Sequence, residues 1–404
     1  MRTAIGCLII AALLAACSAP PQPDRNEPMP TPRAMDTPLP TLPPPPFQVS
    51  DTRITAQNAD QLRYLGRLST DAARPSSIFA HTISLDGTRL AALNNDLLVV
   101  WNLATGATTF TKGRLGATRV FYSPDKVEIY TLGSDGLVRV HEADTASELN
   151  QFQLGVAYSG ASAFYKEEGW LAVGGVDGRL QVWNTQERLS LSRWDAIRAQ
   201  ITAVAFDATG ERLLSAADEG TVQVWDWRER RLVASHRTQY PVVLGVAFSP
   251  DGTQFSLATP FYVETYSLRE NRFLWTIEIG VSDTSDVFRY SPDGRFLLTG
   301  GNEETPITVL NAADGSIKAQ LPQTTGTRTA ARFSADGALL ATTVLDGPVT
   351  LWNIAEATED TIPSARLLVG STRITGLEWS DDGFTLAFFD ANGLVYLWGI
   401  RRGG

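Results

Sequence analysis

The stretch that decides the fold is VAFSPDGTQF, residues 246–255. It contains an alternating apolar strand, a polar turn with Asp and Gly, and the start of a second apolar strand. Close copies are VFRYSPDGRF at 287–296, AARFSADGAL at 330–339 and GLEWSDDGFT at 376–385, and weaker copies begin at His81, Val120, Ala163 and Val204. The chain after about residue 51 is therefore an array of eight similar units.

A third strand follows each copy, as in LLVVWN, RLQVWN, TVQVWD, VTLWN and LVYLWG. One position of this strand holds an aromatic or apolar residue in every unit, and successive positions are 40 to 46 residues apart: Trp101, His141, Trp183, Trp225, Tyr266, Leu310, Trp352 and Trp398. Four short strands per 40–45 residues, with a Trp-Asp-like pair ending the third, resemble the WD40 family of β-propellers.

The resemblance covers all eight units and implies an all-β fold: a single eight-bladed WD40-like β-propeller with four-stranded antiparallel blades. The chain departs from the family in lacking Gly-His before the first strand and in replacing Trp-Asp mostly by Trp-Asn. The last unit ends too early for an outer strand. We therefore expect the spare strand from Leu62 to Ser69 to pair with Leu394 to Ile400 and close the ring, which removes an exposed edge.

The first residues have the features of an export signal. Arg2 precedes an apolar run of about thirteen residues, too short for the roughly 20 that a membrane-spanning helix needs. Leu14-Ala15-Ala16-Cys17 resembles the lipobox of bacterial lipoproteins, which implies cleavage before Cys17 and its lipidation, palmitate included. The alternative is an ordinary export signal with an unmodified cysteine. We predict a signal peptide over 1–16, a lipidated Cys17 with a Pro-rich disordered tether over 17–50, and the propeller over 51–404.

This organisation predicts an extracytoplasmic protein of the bacterial cell envelope, anchored to a membrane by its N-terminal lipid (the outer membrane if the host has one). Twelve of the 22 prolines fall between Ser18 and Pro46, a composition that favours an extended spacer. The formal net charge of −10 argues against a nucleic-acid partner. We expect a monomer.

Catalytic chemistry has little support in the sequence. His81, His141 and His236 lie far apart without metal-ligand spacing, and no phosphate-binding loop or nucleophile elbow occurs. We therefore expect no enzyme activity, no metal and no cofactor, and predict a protein-binding or scaffold module with a protein partner. Two alternatives stay open: an enzyme or small-molecule binder using the central channel, and an envelope (outer-membrane) assembly factor.

Blade five offers the strongest candidate for a partner-binding surface. Where blade four reads DEGTVQVW, blade five reads TPFYVETY, so Phe261 replaces the turn glycine and is flanked by Pro260 and Tyr262. The preceding connection, expected on the same face, carries Tyr240 and Pro241. Exposed rigid aromatics are typical of binding hot spots. The alternative is that these rings pack on each other and only seal an irregular turn.

A second pattern pairs arginines of the inter-blade connections with a turn residue 18 to 22 positions later. The arginines are Arg74, Arg114, Arg198, Arg328 and Arg373, and the turn residues are Asp96, Asp135, Asp218, Asp346 and Asn392. The regular spacing favours structural pairs within each blade over a ring of arginines for an anionic partner.

Overall fold

The computed structural model describes residues 50–69, 78–94, 97–112, 115–280, 287–301, 305–322, 324, 330–344, 347–357, 364–367 and 374–401. Within these ranges the only helix is a short 3-10 segment, Ala59–Gln61. All other regular structure is antiparallel β-sheet, in eight sheets of four strands. The predicted all-β, eight-bladed propeller is therefore confirmed.

The strands follow the chain blade by blade, from the inner to the outer strand. Blades one and two comprise β2 Ala80–Ile83, β3 Arg89–Leu93, β4 Leu97–Asn102, β5 Thr108–Lys112, β6 Ala117–Tyr122, β7 Glu128–Gly133, β8 Leu137–Glu142 and β9 Glu148–Gln153. Blades three and four comprise β10 Tyr158–Tyr165, β11 Trp170–Gly175, β12 Arg179–Asn184, β13 Leu189–Asp195, β14 Ile201–Phe206, β15 Arg212–Ala217, β16 Thr221–Asp226 and β17 Arg231–Arg237. Blades five and six comprise β18 Gly245–Phe248, β19 Gln254–Ala258, β20 Tyr262–Ser267, β21 Arg272–Glu278, β22 Arg289–Tyr290, β23 Phe296–Thr299, β24 Thr308–Asn311 and β25 Ile317–Gln320. Blades seven and eight comprise β26 Ala330–Phe333, β27 Leu339–Thr343, β28 Val349–Asn353, β29 Ala365–Leu367, β30 Ile374–Trp379, β31 Leu386–Asp390 and β32 Leu394–Gly399, with β1 Arg63–Ser69.

Blade eight is completed by the N-terminal strand. Its order is β1-β32-β31-β30, and β1 pairs antiparallel with β32 from Arg63 opposite Gly399 to Ser69 opposite Leu394. The predicted closure is therefore confirmed. Ser50, the last residue of the predicted tether, already joins this blade, because its Oγ donates to the Ile400 carbonyl at 3.0 Å.

A hydrophobic cluster fills each interface between neighbouring blades. The cluster between blades eight and one packs Leu65 of β1, Phe389 and Leu397 against Leu90 and Trp101. Third strands are mostly buried because each is covered by two neighbouring blades. This continuous circular core explains why the body folds as one ring.

The turn that defines the repeat has a local explanation. In six blades a serine hydroxyl donates to the aspartate two residues later at 2.5–2.7 Å, as from Ser249 to Asp251. The aspartate also accepts from the backbone N–H two residues further on, as from Thr253 at 3.0 Å. These side chains satisfy backbone N–H groups of the turn from within the blade.

The shared aromatic position keeps a hydrogen bond to the second strand in two blades. Trp352 Nε1 donates to Thr342 Oγ1 at 2.8 Å, and His141 Nε2 lies 3.1 Å from Thr131 Oγ1 at the equivalent place. Burial lowers the pKa of His141 to about 4, so this histidine is a neutral core residue at pH 7. The structure thus assigns His141 to packing.

Candidate functional site

The turn between β19 and β20 differs from the glycine turn of blade four. In blade four Gly220 makes this turn with a φ of +83°. In blade five Thr259 does so instead: its N–H donates to the Tyr262 carbonyl at 2.8 Å, and its hydroxyl accepts from the Tyr262 N–H at 3.0 Å. Because threonine replaces the glycine's role, the turn can carry Phe261 at its tip.

The connection from blade four to blade five is fixed against blade four's own turn. The Thr238 N–H donates to the Gly220 carbonyl at 2.9 Å. A Cβ atom added to Gly220 would lie 2.6 Å from the Tyr240 carbonyl oxygen, so the two segments touch. On the other side, the Ile279 N–H donates to the Phe261 carbonyl at 2.8 Å. Both loops are therefore held by backbone contacts before any partner arrives.

Tyr240, Pro241, Phe261 and Tyr262 come together as one surface, which we call the aromatic patch. The Tyr240 ring centroid lies 5.0 Å from that of Phe261 and 5.6 Å from that of Tyr262. The rings do pack on each other, yet Phe261 stays 52% exposed and the adjacent Val242 48% exposed. The patch thus presents apolar surface that the fold itself leaves uncovered.

A cleft of about 250 Å³ opens beside the aromatic patch, between the connection that follows blade four and the third and outer strands of blade five. We call it the blade 4/5 cleft. Its walls carry three threonines, two tyrosines, one glutamine and one glutamate: Thr238, Thr259, Thr276, Tyr240, Tyr262, Gln239 and Glu264.

Glu264 dominates the electrostatics of the cleft. Its side chain is 17% exposed, and burial raises the pKa of its carboxyl group. His236 Nε2 lies 3.9 Å from Glu264 Oε2, and burial lowers the pKa of this histidine. Glu278 and the neighbouring Tyr240 raise the pKa of the Tyr262 hydroxyl. The histidine beside Glu264 is neutral at pH 7, and the described residues that line the cleft include no cationic side chain.

Four members of the predicted arginine and turn pairs lie in the described ranges: Arg198, Asp135, Asp218 and Asn392. Asp135 Oδ1 accepts from the Leu137 N–H at 3.0 Å, so it caps its own turn. Between Arg198 and Asp218, both described, no ion pair is present. The remaining members, Arg74, Asp96, Arg114, Arg328, Asp346 and Arg373, lie outside the described residues, and so does Cys17. The pairing stays a prediction.

The inner strands carry a charged group that the sequence analysis did not single out. Glu378 Oε2 of blade eight lies 3.5 Å from His81 Nε2 of blade one and 3.5 Å from Arg332 Nε of blade seven. Burial would raise the pKa of Glu378, but the hydrogen bond with His81 and the charges of Arg332 and Arg289 lower it to about 2. These side chains connect the inner strands of blades seven, eight and one.

Two negative findings concern other kinds of site. In the ranges that the structure describes, no group of three or more His, Cys, Asp or Glu side chains is placed to hold a metal ion. Over the same part of the chain, no helix combines the length and apolar character needed to cross a bilayer.

Known proteins resemble this chain in its repeated units. The family described as WD domain, G-beta repeat matches residues 191–226, which run from the end of blade three through the third strand of blade four. WD repeat-containing protein 90 of Mus musculus is 27% identical over 177 residues, 39% of this chain. These matches and the eight-bladed ring support a WD40 propeller. WD40 propellers are commonly protein-interaction scaffolds and typically not enzymes.

The chain spans 9% of the length of that mouse protein. The computationally designed Ika8 protein, solved as a crystal structure, is similar with a TM-score of 0.63 at 20% identity, over 82% of this chain and 99% of that one. At that identity the likeness concerns the fold alone.

Proposed function

We propose that this protein is a lipid-anchored scaffold of a bacterial cell envelope, exposed on the extracytoplasmic side, whose WD40 propeller binds a protein partner through the aromatic patch. The observation that carries the binding role is the exposed Phe261 at the tip of a turn that Thr259 holds in place. A preformed aromatic surface lowers the ordering cost of association.

The anchoring role rests on the sequence Leu14-Ala15-Ala16-Cys17 and on the proline-rich segment after it. A thioether-linked diacylglycerol supplies two acyl chains, which anchor far more stably than a single chain. The tether of 17–50 would then hold the propeller off the membrane surface, where the aromatic patch is accessible. We expect a monomer, since one propeller carries the complete patch.

The binding role is tested by photo-crosslinking in intact cells. A photoreactive amino acid at position 261 should capture one reproducible protein partner. The matched control is position 176, because Val176 lies on the equivalent turn of blade three and is 50% exposed. Equal capture of that partner from both positions, or none from 261, contradicts the assignment of the aromatic patch.

A further inference from the structure

The Glu264 carboxyl group lies between blades four and five. Its Oε2 atom is buried and accepts no hydrogen bond from any residue that the structure describes. His236 Nε2, at 3.9 Å, is beyond hydrogen-bonding distance. A buried charged acceptor without a hydrogen-bond partner is destabilising. A ligand that donates to Glu264 would relieve this destabilisation.

Blade three shows what the same position does when it serves only the fold. Gln181 stands there, two residues before the shared aromatic position, as Glu264 does in blade five. The Gln181 amide accepts from the Gly155 N–H at 2.8 Å and donates to Ser190 Oγ at 2.9 Å, which fills the space between the blades. Blade four carries the neutral Gln223 at this position, and its Oε1 is also buried without a hydrogen bond from the described residues. Blade five thus has an acid where blades three and four have an amide.

The shape and walls of the cleft restrict the ligand. Its volume of about 250 Å³ is below the roughly 300–1,000 Å³ of small-molecule pockets, which suits a single side chain better than a whole small molecule. Tyr240 and Tyr262 line it, and aromatic rings attract cations through their faces. Glu278, close enough to raise the pKa of Tyr262, adds negative charge at the rim.

We propose that the blade 4/5 cleft binds a lysine or arginine side chain of the partner protein, with Glu264 accepting its charged N–H groups and Tyr240 and Tyr262 contacting its stem. This inference rests on the proposed function, because it treats the ligand as part of a protein. In this proposal the aromatic patch binds apolar side chains of the partner, and the cleft binds one positively charged side chain.

The test uses blocked single residues as probes: the N-acetyl methylamides of lysine, arginine and norleucine, titrated into the propeller and followed by ligand-observed NMR. The lysine or arginine probe should bind the wild type at least about tenfold more tightly than norleucine. Glu264→Gln should remove most of that preference. Glu211→Gln should keep it, because Glu211 is exposed on the hairpin turn at the opposite face of blade four.

Two outcomes overturn the inference: a norleucine probe that binds as well as lysine, or a Glu264→Gln protein that binds lysine as the wild type does. Tyr262→Leu is a second variant that keeps Glu264, and it should weaken the lysine probe threefold or more. Failure of the proposed function gives a different result from failure of this inference. If only the proposed function fails, position 261 captures no partner while the lysine probe still binds. Failure of this inference alone leaves capture intact in Glu264→Gln.

Discussion

Leu65→Ala is the substitution that most sharply probes ring closure. Leu65 lies on β1 and is 2% exposed, packed in the cluster that joins blade eight to blade one. Removing three carbons from such a site costs about 2–5 kcal/mol, the lost burial plus the cavity left behind. Because the total stability of a protein is about 5–15 kcal/mol, the loss should be visible in urea unfolding followed by tryptophan fluorescence.

The control for Leu65→Ala is Arg67→Ala on the same strand. Arg67 is exposed, so its removal should change the free energy of unfolding by less than about 0.5 kcal/mol. Deleting residues 51–70 altogether should expose β32 as an unpaired hydrophobic edge and cause aggregation or a large fall in melting temperature. If Leu65→Ala unfolds with the free energy of Arg67→Ala, β1 does not close the ring.

Three further predictions concern the anchor, the patch and the cleft. Wild type expressed in bacteria should incorporate a clickable palmitate analogue and Cys17→Ser should not, whereas equal labelling would refute lipidation. Phe261→Ser combined with Tyr240→Ser should reduce partner capture at least about tenfold, about 1.4 kcal/mol, with an unchanged melting temperature; undiminished capture would exclude the patch. The folded-state pKa of Glu264 is raised, so the folded protein holds this proton more tightly than the unfolded chain does. Wild type should therefore lose stability relative to Glu264→Gln as pH rises from the unfolded-state pKa of a glutamate, about 4.3, through the raised folded-state pKa of Glu264. The measurement is the melting temperature of both proteins as a function of pH. Parallel profiles would contradict the prediction.

The fold could be predicted from the sequence because each blade is local. The Ser249 and Asp251 side chains cap their own turn, and each repeated strand pairs with the next strand of the same blade. Closure was predictable for a different reason: the last unit lacks an outer strand, and a spare strand from Leu62 stands before the first unit.

The site was only partly predictable. Phe261 was predicted because it replaces a turn glycine, and Tyr240 was predicted because it lies in the connection that precedes the same blade. Glu264 was missed because its environment is built by two blades, with His236 on one and Thr276 on the other. Comparing it with Gln181 and Gln223 at the same repeat position would have revealed it. The contact between His81 and Glu378 was missed because it joins residues from opposite ends of the chain.

Hydrogen–deuterium exchange tests the central claim most directly. It compares the propeller alone with the propeller bound to the partner recovered from intact cells. If the partner binds the aromatic patch, amide exchange should slow in residues 238–243 and 259–264 and change little in the equivalent turn of blade three around Val176. Protection of the Ser-Pro-Asp-Gly turns on the opposite face, with residues 238–243 and 259–264 unchanged, would contradict it.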